Sequence, residues 1–334
     1  MNGGGNPGYI DKIEKMKISR IKQVRIRTGG WSELLTAIYM GAISWIASVT
    51  QIHYILFPEL GALSHDIIRR PHGTWAKSPG MLILTPLLTG SVGTFLVRNI
   101  GSGAVSIVLA TAAAIFIIFL LRSPIAPAIS AGVLPISLGS TSWRYPASLL
   151  VGLVLLAAIS LIWRRFVPSP EIKTPTNAAA GFIEEAPHSY AWLPFFMIFL
   201  LGTAVLGEMT GWHFILFPPL IVMGFEMFAH SEICPWAKKP LLLPIACTLS
   251  ALIGAALVME LGVTPLAVIA STACAIALLR ILNLHMPPAI AVGLLPFVIP
   301  TVDYKFPVSV GIGALTLALI FLAWRGLKNR VFNY

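Results

Sequence analysis

The chain has 334 residues, of which 57% are hydrophobic and 11% charged, and its mean hydropathy is +0.84. That leaves too little polar surface to cover a water-soluble globule of this size, so the bilayer is the expected solvent. The net charge of +10 does not point to nucleic acid, because the basic residues sit at the ends of apolar stretches and do not gather on one face with aromatics.

Residues 1–30 read as a basic cytosolic tail without the apolar core of a signal peptide. Within it, residues 11–27 fit a short basic amphipathic helix on an anionic leaflet, or equally a flexible tail supplying topogenic charge. Apolar segments then follow at 31–50, 53–68, 81–100, 104–121, 126–142 and 146–163. A polar linker at 167–189, with Pro168, Pro170, Pro175, Glu184 and Glu185, separates them from a second series. That series runs 190–209, 213–229, 241–259, 265–282, 286–302 and 307–324, and residues 326–334 form a C-terminal tail.

The two series match each other. HYILFPELGA from His53 aligns with HFILFPPLIV from His213, and the alignment continues with Trp75 and Trp236, Gly93 and Gly254, Pro127 and Pro288, Gly132 and Gly293, Pro135 and Pro296, and Trp163-Arg164 and Trp324-Arg325. Pro, Gly and Trp recurring at a near-constant offset is the mark of internal duplication. The expected fold is therefore an all-α, polytopic transmembrane bundle of two parallel tandem repeats, 31–166 and 190–325, with about six membrane segments each. With the N-terminus inside and six crossings per copy, all but Arg98, Arg144 and Lys305 of the 23 Lys and Arg fall on the cytosolic side. That follows the positive-inside rule and places both termini in the cytosol of a plasma or inner membrane.

The second and fifth segments of each copy are short and broken by proline. Proline inside a helix frees backbone groups at membrane depth, and those groups must be buried in protein or line a polar cavity. Such segments at matching positions of two repeats point to a transport site. Helix starts at Pro58, Pro127, Pro218 and Pro288 are expected to meet near mid-membrane and to aim free N–H groups at a small anion. Pro58, Glu59, Ser123, Pro127, Pro218, His285, Pro287 and Pro288 are the candidate substrate-binding residues; the competing reading is that the prolines only kink packed helices. Glu59 and Glu208 lie in apolar surroundings and are expected to face the protein interior or a wet cavity. His53 and His213 read as interfacial anchors, and Lys77 and Lys238 of a repeated Trp-Ala-Lys element as snorkelling lysines.

Cys234, Cys247 and Cys274 lack CxxC spacing and nearby histidines, so neither a disulfide framework nor a metal site is expected. No HExxH, GxSxG, P-loop or GxGxxG appears, and no cofactor or catalytic residue is expected.

Residues 284–296 (LHMPPAIAVGLLP), preceded by FPPLIVMGFEMFAHSEICPWAKKP, resemble the HPP family of integral membrane proteins, named for a His-Pro-Pro motif at the start of a late segment. Here a methionine separates the histidine from the prolines, and the first copy reads SPIAPAISAGVLP with no histidine. Some members of that family are associated with nitrite transport, so the resemblance implies a transporter or channel for a small inorganic anion. A structural or assembly role is the alternative, favoured if the short segments pack with no polar cavity between the copies.

Overall fold

The computed structural model describes residues 30–167 and 190–332, all helix, turn and loop with no strand among them. The basic tail, the linker beyond Val167 and the last two residues lie outside the described residues. In chain order the helices are α1 Gly30–Thr50, α2 Glu59–Arg69, α3 Thr74–Lys77, α4 Pro79–Asn99, α5 Ala104–Leu121, α6 Ala128–Ser137 and α7 Arg144–Phe166. They continue with α8 Leu193–Thr210, α9 Pro218–Ala229, α10 Leu242–Leu261, α11 Pro265–Ile281, α12 Pro288–Leu294 and α13 Lys305–Phe332. Single 3₁₀ turns at His53–Ile55 and His213–Ile215 precede α2 and α9, and others at Trp236–Lys238 and Leu295–Phe297 precede α10 and extend α12.

Among the described residues seven helices, α1, α4, α5, α7, α8, α10 and α13, are long and apolar enough to cross a membrane. Their outer faces carry Phe95, Phe116, Leu120, Ile198 and Leu319 in exposed positions, as lipid-facing helices do. The expectation of about six crossings in each half is corrected for the short segments. Helix α2 has 11 residues, α6 has 10 and α12 has 7. At 1.5 Å per residue these reach at most about 16 Å, roughly half the hydrocarbon core.

Close backbone approach seats two of these short helices. A Cβ on Gly93 of α4 would stand 1.9 Å from the Gly132 carbonyl oxygen of α6, and one on Gly254 of α10 would stand 2.0 Å from that of Gly293 in α12. Small residues at these crossings let the backbones touch, the usual means of helix association in lipid. Side chains then finish the seam. Thr89 Oγ1 donates to the Ala128 carbonyl at 2.6 Å, and Ser271 Oγ to the Gly293 carbonyl at 2.8 Å.

The two halves interlock through their short helices, α2 packing on α12 and α6 on α9. Helices α2 and α12 run antiparallel. Gly61, near the start of α2, abuts Leu294 and Ile290 of α12, while Asp66, near the end of α2, faces His285 just before α12. One end of the bundle gathers the basic residues. Glu33 of α1 pairs with Arg69 of α2 at 3.7 Å and with Arg280 of α11, and the Arg164 and Arg325 guanidinium groups donate to the Ala76 and Ala237 carbonyls. At the opposite end Glu208 is exposed and its carboxylate accepts from the Ala104 N–H at the start of α5. The interior position expected for Glu208 is thereby corrected: the carboxylate caps a helix of the other half, where the macrodipole favours negative charge.

Candidate functional site

The prolines arrange the ends of the short helices. Pro287 caps α12 and Pro288 is its first residue, while Pro127 caps α6 and Pro58 caps α2. Each preorganises a tight first turn, and that turn consumes the N–H groups expected to be free. Ala289 N–H bonds to the Met286 carbonyl at 3.0 Å and Ile290 N–H to that of Pro287 at 2.9 Å. In α6, Ala128 and Ile129 N–H bond to Ile125 and Ala126; in α2, Leu60 and Gly61 bond to Phe57 and Pro58; in α9, Leu220 bonds to Phe217. The expected cradle of free backbone donors is therefore replaced by 3₁₀-type turns.

What does converge is a set of side chains. A narrow cleft, with about 20 Å³ of space open to a water-sized molecule, lies where the ends of α2 and α9 meet the start of α12. Asp66 of α2, Arg70 just after it, Glu226 of α9 and His285 supply its polar groups, with Trp75, Trp236, Pro124, Pro287 and Pro288 also lining it. Asp66 and Glu226 are only 4% and 5% exposed. Asp66 is paired with Arg70 and lies 3.7 Å from His285 Nε2. Glu226 makes no ion pair among the described contacts. The Trp236 indole N–H is buried and has no hydrogen-bond partner among the described residues. The cleft thus gathers two carboxylates, a guanidinium and an imidazole, chemistry suited to a small charged or strongly polar solute.

Of the residues expected from the sequence, His285, Pro287 and Pro288 line this cleft. Ser123 is next to Pro124 but turns inward, accepting from Thr85 Oγ1 at 2.7 Å and from the Ile125 N–H at 3.3 Å. Pro127 is buried behind it. Pro58, Glu59 and Pro218 are not brought to the cleft, because α2 and α9 enter it by their C-terminal ends. The expectation that the four helix starts meet is corrected for the same reason: in the antiparallel α2–α12 pair the two starts stand at opposite ends. Beyond the far end of α2, a second and roomier cavity of about 240 Å³ is lined by Ser44, Ser48, Gln51, His53, Leu56 and Phe297 among others.

The residues that sequence reasoning passed over are Asp66, Arg70, Trp75, Glu226 and Trp236. A signal was present. Asp66 and Glu226 stand at the same place in the two matching sequence stretches, 13 residues after His53 and His213, and Trp75 and Trp236 recur in the two Trp-Ala-Lys elements. In the Trp-Ala-Lys elements the lysines are exposed and the tryptophans form the wall.

Seven membrane-length apolar helices make this a multi-pass helical membrane protein. No family model, curated protein or solved structure matches the chain.

Proposed function

We propose that the protein is a membrane transporter or channel for a small solute, which passes through the cleft between two parallel halves. The carrying observation is the cleft itself, where charged side chains from the end of α2 meet Glu226 of α9 and His285 just before α12. Two largely buried carboxylates with a guanidinium and an imidazole at one cleft are costly away from water, and function is the usual reason such groups are kept in a membrane protein.

A small inorganic anion is the solute class this reading favours. Arg70, His285 and the Trp236 N–H supply donors, and an entering anion would compete with Asp66 for Arg70. The resemblance of residues 284–296 to the HPP family, with its nitrite-transporting members, supports the same class. The second reading is a cationic solute, favoured by Glu226, a second buried carboxylate in the same wall that closes no ion pair among the described residues. In either case the two halves are parallel copies with both termini cytosolic, a topology supported by the arginines gathered at one end of the bundle.

Uptake into liposomes containing the purified protein, screened over small anions and cations at several imposed potentials, tests the proposal. Saturable uptake of one class supports it. Fluxes equal to those of protein-free liposomes across the panel reject transport in favour of an assembly role.

A further inference from the structure

Glu59 stands apart from the cleft and is fully buried, 0% exposed. Its carboxyl oxygens close no hydrogen bond of ordinary geometry, although the Ser130 hydroxyl of α6 stands against them. Tyr145 of α7 is the other polar ring beside it, itself fully buried with its hydroxyl donating to the Ala131 carbonyl at 2.8 Å. Tyr54 packs edge-on against Tyr145, with ring centroids 5.8 Å apart. The titratable groups facing Glu59 are thus Tyr145 and, more distantly, Glu226 of α9; none of them is a cation.

The duplicated sequence provides an internal control for this cluster. At the positions matching Glu59, Ser130, Tyr145 and Tyr54 the second half has Pro219, Ala291, Phe306 and Phe214. The edge-on ring contact persists there, Phe214 against Phe306 with centroids 5.3 Å apart. The fold therefore needs the rings and not the hydroxyls, and it does without a carboxyl at this place. Four polar groups that sit together in one half are all absent from the matching place in the other.

We propose that Glu59 is a proton-binding carboxyl that loads and unloads as the bundle opens and closes, coupling solute movement to a pH gradient. A sealed carboxyl without a counter-cation is neutralised most simply by a proton, and intramembrane acids of this kind serve as proton relays. A metal cation needs several oxygen ligands, and no group of three or more His, Cys, Asp or Glu gathers among the described residues. The position also suits coupling. Glu59 begins the helix that ends at the cleft with Asp66 and Arg70, and Leu56, one turn before it, lines the second cavity.

The coupling rests on the transport reading; the proton binding does not. Infrared spectroscopy of the full chain in lipid should show a carboxylic-acid C=O band that responds to pH and disappears in Glu59→Gln. In liposomes, Glu59→Gln should retain solute counterflow while losing uptake driven by a pH gradient. A band unchanged by Glu59→Gln, or pH-driven uptake equal to wild type in that variant, overturns the proposal. A Glu59-dependent band in a protein that moves no solute upholds the proton site and overturns transport instead.

Discussion

Asp66 and His285 face each other at 3.7 Å across the joint between the two halves, one at the end of α2 and the other just before α12. Asp66 is simultaneously the ion-pair partner of Arg70. The pair therefore joins the halves and also forms the polar wall of the cleft.

Asp66→Ala should destabilise the protein by about 1–3 kcal/mol, because it removes a buried carboxylate from the half-buried Arg70 guanidinium. Thermal unfolding in detergent reads this loss. His285→Ala should leave the midpoint nearly unchanged, since this imidazole is one-third exposed and exposed pairs contribute little.

Trp236→Phe keeps the aromatic wall and removes the indole N–H. With no partner for that N–H among the described residues, stability should hold or rise slightly, while solute affinity falls roughly five- to tenfold if the N–H is a ligand donor. Binding isotherms beside melting curves separate the two effects.

Gly93→Ala and Gly254→Ala should each cost about 1–3 kcal/mol or more, because the added methyl meets a backbone oxygen that cannot swing aside. Gly202→Ala, whose Cβ would meet nothing within 4 Å, is the control and should be near neutral. Melting temperatures of the three variants decide it.

His230, in the loop after α9, is held down to about 4 from its ordinary 6.5 by burial. The folded state keeps it neutral where the unfolded chain binds a proton, so its contribution to stability is fully present above about pH 6.5 and is lost as pH falls toward 4. His230→Gln should flatten the fall in unfolding midpoint across that window relative to wild type.

Membrane class and helix type were legible because hydropathy and segment length are summed over many residues, which local detail cannot mask. The short helices were legible because proline excludes helix continuation at Pro58, Pro127, Pro218 and Pro288. The geometry at their starts was not, since proline fixes one torsion but does not say whether the next N–H groups reach a turn carbonyl, as Ala289 and Ile290 do. The cleft was hidden for another reason. Asp66 and Glu226 lie near the C-terminal ends of α2 and α9, and only the antiparallel packing of α2 on α12 brings such an end beside His285.

Uptake of small anions, nitrite included, by liposomes carrying wild-type, Arg70→Gln or His285→Ala protein tests transport through the cleft most directly. The account predicts saturable wild-type uptake well above protein-free liposomes, cut roughly tenfold or more in Arg70→Gln, as expected for loss of a charged donor, and weakened in His285→Ala. No uptake above protein-free liposomes, or undiminished uptake in both correctly folded variants, would contradict it.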